Sequence, residues 1–244
     1  MAAYLVGIAA VLDFLDGFAA RALKQHSPIG KDLDSLADMV TFGVVPGVIM
    51  LRLLEMAFFS QYLERTNFNT EQFGTLTNPG YFSPGPYVYL AFAISLFSAL
   101  RLAKFNNDTR QSDSFIGVPT PANAILIASL PLILNVHLPD HWDGTFADDI
   151  ALLRSDVVSK LILTPWVLFA IIGIMSYLLI AELPLFALKF KSFKWKGNEV
   201  RYSFLLVAIA MLVLLKFIAL PLIIVVYIVM SAVLALIKRN SSQS

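Results

Sequence analysis

Residues 13–38 read DFLDGFAARALKQHSPIGKDLDSLAD, and four of the five carboxylates in this stretch recur at helical spacing in an otherwise apolar part of the chain. A carboxylate inside a membrane segment is costly, and it is tolerated where it lines a polar cavity, pairs, or holds a cation. The four are Asp13, Asp16, Asp34 and Asp38. Their helical spacing predicts a metal site between two membrane helices.

The composition around this stretch is that of an integral membrane protein. The 244 residues are 58% hydrophobic and 14% charged, whereas roughly 25% of a soluble domain is charged. The chain has no cysteine, which excludes disulfides, thiolate catalysis and cysteine-based metal sites, but leaves oxygen-ligand metals open. A net charge of +1 says little about partners, and no nucleic-acid partner is predicted.

Six apolar segments are long enough to cross a bilayer, which takes about 20 mostly apolar residues. The last is too long for a single span, and Ala219-Leu220-Pro221 near its middle predicts a tight hairpin that divides it. The predicted fold is therefore all-α, a polytopic membrane helix bundle with about seven transmembrane helices. The segments are 1–24, 34–58, 87–105, 121–138, 157–182 and 202–237.

Lysine and arginine set the predicted orientation, because short cytoplasmic loops hold an excess of them. With seven spans, most of the 18 basic residues fall on the same side as the carboxylates. The site is therefore predicted to face the cytoplasm. The same count places Met1 on the opposite side, at the start of a hydrophobic helix, so we expect one preceding N-terminal helix to be missing from this chain.

The first helix presents its functional residues as one stripe, because positions three and four apart share a helical face. The small residues in the stripe allow a nucleotide or a neighbouring backbone to approach closely, as they do where membrane helices touch. The stripe consists of Asp13, Asp16, Gly17, Ala20 and Arg21.

The second helix carries Asp34 and Asp38 four residues apart, on the face that α-helical spacing also gives to Thr41 and Phe42. The connection KQHSPIG at 24–30 contains Pro28 and Gly30, and it predicts a turn that brings the two helices face to face. Four carboxylates that close need cations, so two divalent ions, Mg²⁺ or Mn²⁺, are predicted. Two-metal sites serve phosphoryl displacement, and the predicted substrate is a pyrophosphate.

The pattern D-x-x-D-G-x-x-A-R-x8-G-x3-D-x3-D resembles the signature of the CDP-alcohol phosphatidyltransferases. The resemblance implies metal binding by the four carboxylates, with Asp38 also acting as the general base. It implies CDP binding by Gly17, Ala20, Arg21 and Gly30, and it implies a homodimer. The fixed positions are filled by Asp13, Asp16, Gly17, Ala20, Arg21, Gly30, Asp34 and Asp38.

Two longer blocks are similar to the phosphatidylserine synthase branch of that family: GKDLDSLADMVTFGVVPG at 30–47 and ALRLAKFNNDTRQSDSFIGVPTPANA at 99–124. This similarity implies transfer of a phosphatidyl group from CDP-diacylglycerol to L-serine, giving phosphatidylserine and CMP. It also implies contact with membrane lipids. Candidate ligands for the lipid phosphate or serine are Arg101, Asn106 and Arg110. Residues 1–138 are predicted to form the catalytic core, and 139–244 to add further transmembrane helices to the same membrane domain.

Two alternative functions stay open. The first is the same reaction with glycerol phosphate or inositol phosphate as acceptor. A phosphorylated acceptor should demand further basic residues, whereas Arg110 is balanced by Asp108 and Asp113, which favours serine. The second is a cation- or proton-coupled transporter, which also places carboxylates in the membrane. Such transporters commonly contain repeats, and the aspartate motif has no second copy.

Overall fold

The computed structural model describes residues 2–23, 27–65, 84–107, 115–136, 150, 152–153, 155–186, 195 and 198–241. Nearly all of this described part is helical. The helices are α1 (Ala2–Leu23), α2 (Pro28–Asp38), a π-helix (Met39–Val44), α3 (Val45–Arg65), a 3-10 helix (Pro86–Phe92), α4 (Ala93–Asn107), α5 (Thr120–Val136), α6 (Val157–Ile162), α7 (Pro165–Ile180), α8 (Glu199–Leu215), a 3-10 turn (Lys216–Ile218) and α9 (Ala219–Ser241).

Several of these helical stretches are long and apolar enough to cross a membrane. The long ones are Ala2–Ala19, Asp32–Arg65, Pro86–Asn106 and Glu199–Ile237, and the shorter apolar ones are Thr120–Asn135 and Pro165–Ile180. The last long stretch is a pair of helices folded back on one another, because the rings of Phe204 in α8 and Tyr227 in α9 lie 5.6 Å apart. The prediction of an all-α bundle with about seven apolar helices is confirmed for the described residues.

The hairpin between α8 and α9 turns a few residues earlier than the sequence indicates. α8 ends at Leu215, and Lys216 has a φ of 50°, which reverses the chain. Such a φ is uncommon for a residue other than glycine. Pro221 lies instead in the first turn of α9. A proline costs no hydrogen bond there, since the first N–H groups of a helix have no partner within it.

The predicted span 157–182 is broken into α6 and α7. α6 ends at Ile162, and the Thr164 hydroxyl donates to the Lys160 carbonyl oxygen at 2.9 Å. Pro165 then begins α7 at its first position. A proline fits the start of a helix better than its interior, because it lacks the N–H that an interior position donates.

The centre of the bundle is formed by α3, α4, α5 and α7. α4 packs along α7, α1 packs along α5, and α5 also contacts α3 and α9. Their buried apolar side chains form one continuous core, whose fully buried members include Met50, Leu54, Ile94, Ile127 and Leu168.

The end of α4 nearest the carboxylates is tied to the end of α7. The short strand β1 (Phe115–Ile116) pairs antiparallel with β2 (Pro184–Leu185), just beyond the two helices. Lys104 at the end of α4 also forms an ion pair with Glu182 at 3.1 Å. These contacts hold α4 in place beside the site.

α4 meets the start of α3 at small residues. A Cβ atom added to Gly47 would overlap the hydroxyl oxygen of Ser95, and one added to Gly43 would lie 3.2 Å from the Ser98 Cβ. The Ser95 hydroxyl donates to the Gly43 carbonyl oxygen at 2.9 Å. Small residues let membrane helices approach this closely, so this seam holds the start of α3 against α4.

Candidate metal centre

Three of the four predicted carboxylates converge in space. Asp13 and Asp16 lie three apart on α1 and share a face, as helical spacing predicts. Asp34 reaches them from α2, and one carboxylate oxygen of each residue lies within 4.8 Å of the other two. Asp13 is half-buried, whereas Asp16 and Asp34 are exposed. The two helices therefore assemble a cluster that neither could form alone.

Asp38 joins the cluster from one turn further along α2. Its carboxyl group lies close to that of Asp13 and interacts electrostatically with Asp13, Asp16 and Asp34. Asp38 is half-buried, in contrast to the exposed Asp34. Carboxylates this close repel one another when they are ionised, and a bound cation relieves that repulsion.

The donor set fits a hard divalent cation. Its ligand atoms are carboxylate oxygens, which Mg²⁺ and Ca²⁺ prefer in proteins. Mg²⁺ in particular is held by a few carboxylates together with water and substrate phosphate oxygens, so a partly exposed cluster suits it. The aspartate group is thus able to bind a divalent metal.

α2 begins earlier than predicted, and Gly30 therefore lies inside the helix. Ser27 is the N-cap, and its hydroxyl oxygen accepts a hydrogen bond from the Gly30 N–H at 3.1 Å. Pro28 follows at the first helical position, where proline is favoured. Capping serine and proline together start the helix here, so the prediction that Gly30 forms part of the turn was wrong.

The helix changes geometry directly after α2. Residues Met39–Val44 form a π-helix, in which the Val45 N–H donates to the Val40 carbonyl oxygen, five residues back. Phe42 is only 1% exposed and packs into the core. Thr41 and Phe42 therefore do not continue the α-helical spacing of 3.6 residues per turn on which their predicted shared face with Asp34 and Asp38 was based.

The predicted CDP-binding residues lie along α1 and at the start of α2. Gly17 adjoins open space, since a Cβ atom added there would meet nothing within 4 Å. Packing within the described residues therefore does not require a glycine at this position. Ala20 and Arg21 lie in α1, but their side chains fall outside the described part of the chain.

The predicted acceptor ligands lie in three different settings. Asn106 lies beside the cluster, because its amide nitrogen donates to the Ser35 hydroxyl oxygen at 2.8 Å. Arg101 is buried at 6% exposure and donates to the Gly117 carbonyl oxygen at 3.3 Å. The Arg101 Nε atom has no hydrogen-bond partner among the described residues. Arg110 lies outside them.

Sequence reasoning missed two serines that connect the site to the bundle. Ser35 links α2 to Asn106, and Ser95 links α4 to the π-helix. The position of Ser35 directly after Asp34 is a usable signal for the first. Ser95 has no comparable signal, since a single serine in an apolar helix most often bonds to its own backbone.

A cavity of about 840 Å³ lies at the far end of α3 from the carboxylates. Its lining includes the aromatic residues Phe58, Tyr87, Trp166 and Phe169. Arg65 at its rim is some 40 Å along the helix axis from Asp38, at about 1.5 Å per residue. The cavity is therefore no part of the candidate metal centre.

A bundle of apolar helices with converging intramembrane carboxylates defines the class: an integral membrane protein with a candidate metal centre. The family model described as CDP-alcohol phosphatidyltransferase matches residues 1–152, which is more than half of the chain. The chain belongs to this family, and the family prediction made from the aspartate pattern is confirmed.

The chain is also similar to relatives named CDP-diacylglycerol–serine O-phosphatidyltransferase. The relative from Helicobacter pylori is 36% identical over 165 residues, covering 66% of this chain and 59% of the relative. The relative from Bacillus subtilis is 33% identical over 124 residues, or 51% of this chain and 56% of the relative. The relative from Methanocaldococcus jannaschii is 30% identical over 134 residues, or 55% and 52%. The chain thus spans between half and three fifths of the length of these curated relatives.

Proposed function

We propose that this protein transfers a phosphatidyl group from CDP-diacylglycerol to the hydroxyl group of L-serine, giving phosphatidylserine and CMP. The observation that carries the proposal is the convergence of Asp13, Asp16 and Asp34 from two helices, with their oxygens within 4.8 Å of one another. Family membership supports the reaction class. The names of the relatives support serine as the acceptor.

We assign two divalent ions, Mg²⁺ or Mn²⁺, to Asp13, Asp16, Asp34 and Asp38. When bound, such ions balance the charge of a diphosphate and polarise the oxygens of an in-line displacement. The oxygen-only donor set and the exposure of Asp16 and Asp34 support this assignment, because they leave room for phosphate oxygens and water.

Asp38 is the proposed general base. It accepts the proton of the serine hydroxyl group while the serine oxygen forms a bond to the β-phosphorus of CDP-diacylglycerol. The bond between that phosphorus and the oxygen of CMP breaks, and CMP leaves. Asp38 suits this role because it is half-buried and lies against Asp13 at the edge of the cluster. A general base must reach the proton it takes.

We propose that the cytidine diphosphate lies against Gly17, Ala20, Arg21 and Gly30. The open space at Gly17 supports this placement.

We further propose that Arg101, Asn106 and Arg110 bind the lipid phosphate or serine. The contact between Asn106 and Ser35 supports a place beside the cluster for Asn106. The guanidinium group of Arg101 is a natural partner for a phosphate or a carboxylate.

The remaining proposals concern the whole molecule. We propose a catalytic core within residues 1–138, an active site that faces the cytoplasm, and a homodimer. The excess of lysine and arginine on the side of the carboxylates supports the orientation. The family resemblance supports the dimer, which the mass of the purified protein in detergent would test.

The reaction is tested with the full chain, CDP-diacylglycerol and Mn²⁺ or Mg²⁺, by measuring CMP release with different acceptors. We expect release with L-serine, and little with glycerol phosphate, inositol phosphate or no acceptor. CMP release with glycerol phosphate but not with serine would contradict serine as the acceptor and would still support the reaction class. Cation flux into liposomes that contain no CDP-lipid would favour a transporter instead.

A further inference from the structure

We propose that the π-helix Met39–Val44 sets the rotation of α2, and so turns Asp34 and Asp38 toward Asp13 and Asp16. The inference rests on the proposed function only in taking these carboxylates as metal ligands. The rotational claim itself concerns the contacts between helices, and it is testable without metal or substrate.

The rotation of α3 about its own axis is held by the bundle. Gly47 lies so close to Ser95 of α4 that a Cβ atom has no room between them. On the following turns Met50, Leu53 and Leu54 are fully or almost fully buried. A helix fixed by close backbone contact and by a buried face cannot rotate without losing both.

α2 touches the same neighbour, α4, at a second point. Ser35 of α2 accepts a hydrogen bond from Asn106 near the end of α4, and Gly43 of the π-helix accepts one from Ser95. Ser35 and Gly43 must therefore point in nearly the same direction. In an unbroken α-helix, residues eight apart differ in direction by about 80°, at about 100° per residue.

The π-helix removes most of this mismatch. A π turn closes with a bond to the fifth residue back and takes about one residue more than an α turn, as the bond from Val45 to Val40 shows. One residue corresponds to about 100° of rotation, so the offset falls from about 80° to about 20° in the other direction. Ser35 and Gly43 then face α4 together.

The carboxylates of α2 follow the same rotation, because they lie on the same rigid helix as Ser35. Without the π turn, Asp34 and Asp38 would point about 100° away from their present direction. α1 is packed along α5 and cannot follow them. The extra residue of the π turn thus allows α3 to pack in the bundle while Asp34 and Asp38, on the same continuous helix, face Asp13 and Asp16.

The test uses the absence of cysteine from the chain, which leaves an engineered pair as the sole reactive thiols. Ser35→Cys and Asn106→Cys are introduced together, and the rate of bridging by the short crosslinker dibromobimane is measured in EDTA. Val40, which is 58% exposed, is then deleted to remove the extra residue. Val40→Ala is the matched control, and deletion of Val40 with an alanine inserted after Thr41 restores the length.

We expect the parent, the Val40→Ala variant and the length-restored variant to crosslink at similar rates, and the deletion variant at least tenfold more slowly. In the chain without added cysteines, the deletion should weaken Mn²⁺ binding at least tenfold, and Val40→Ala should leave it unchanged. Crosslinking of the deletion variant at the parental rate would overturn the inference. If the cysteine-pair parent crosslinks normally but the chain without added cysteines binds no Mn²⁺, the result would instead count against the proposed function.

A point variant covers the case in which the deletion variant does not fold. Ser95→Ala removes the hydrogen bond to Gly43, and we expect it to slow crosslinking severalfold. The control is Ser231→Ala, since Ser231 is also buried but bonds to Tyr227 of its own helix. Equal crosslinking rates in the two serine variants would also count against the inference.

Discussion

Asp38 and Asp13 differ from the other two carboxylates in their surroundings. Both are half-buried and lie close together, whereas Asp16 and Asp34 are exposed. An oxygen on the open side suits a ligand shared with water and phosphate. A carboxyl group at the edge of the cluster suits proton transfer, which needs one defined partner and not several.

The Asp38→Asn variant should therefore separate catalysis from binding. We expect turnover to fall by about 10²–10⁴-fold, the usual contribution of a general base, while Mn²⁺-dependent binding of CDP-diacylglycerol is largely kept. Asp13→Asn or Asp34→Asn should weaken both. Asp32→Asn is the control, since Asp32 is exposed and outside the cluster. Full activity in Asp38→Asn would remove this residue as the base.

Gly17 offers a second test at a single position. Gly17→Ala should leave the thermal midpoint unchanged or slightly higher, because a Cβ atom there meets nothing and alanine is favoured within a helix. Binding of CDP-diacylglycerol should weaken severalfold if the nucleotide uses that space. Gly173→Ala on α7, where there is also open space, should have the same small effect on the midpoint and leave binding unchanged. Unchanged binding of CDP-diacylglycerol in Gly17→Ala would contradict the proposed position of the nucleotide beside Gly17.

At the scale of elements, the seam between α3 and α4 decides whether the site is held. The contact between Gly47 and Ser95 brings the two backbones together, and the hydrogen bond from Ser95 to Gly43 spans the same seam. The aspartates begin one turn beyond it. Substitutions in the seam should therefore disturb the metal centre, because they change the rotation and tilt of α2.

Gly47→Ala is predicted to destabilise the bundle by about 1–3 kcal/mol, the usual cost of inserting a methyl group into a well-packed contact. Thermal unfolding in detergent would show this as a lower midpoint. Gly7→Ala on α1 is the matched control, because a Cβ atom there has nothing within 4 Å. A midpoint for Gly47→Ala equal to that of Gly7→Ala would show that the contact between α3 and α4 accommodates a methyl group without loss of stability.

At the scale of the whole molecule, the orientation in the membrane can be tested with single cysteines. We expect Asp32→Cys and Glu182→Cys to lie on the cytoplasmic side and Arg65→Cys on the opposite side, where α3 ends. In intact cells an impermeant maleimide should label Arg65→Cys, and it should label the other two only after lysis. The reverse pattern would invert the proposed topology.

Metal removal tests the assembled site. We expect EDTA to abolish CMP release, and added Mn²⁺ or Mg²⁺ to restore it, because close carboxylates alone repel a diphosphate. The fold should survive EDTA, since the bundle core is apolar and lies apart from the carboxylates. Full activity in excess EDTA would contradict the metal assignment.

Much of the fold and the identity of the carboxylates could be predicted from the sequence. Apolar length and charge identified the helices, because a bilayer imposes both on a local stretch of chain. The spacing of Asp13 and Asp16 on one helix, and of Asp34 and Asp38 on the next, placed each pair on one face for the same local reason. These features depend on residues a turn or a span apart.

Tertiary packing determined the features that depend on residues far apart in the chain. The π turn at Met39–Val44, the burial of Arg101 and the contact of Asn106 with Ser35 are settled by contacts between helices. A regular period of 3.6 residues cannot anticipate an extra residue in a turn, because that residue satisfies contacts with α4, some 50–70 positions later. The kind of site is therefore determined by local sequence, whereas the direction in which its carboxylates point is determined by the packing of the helices.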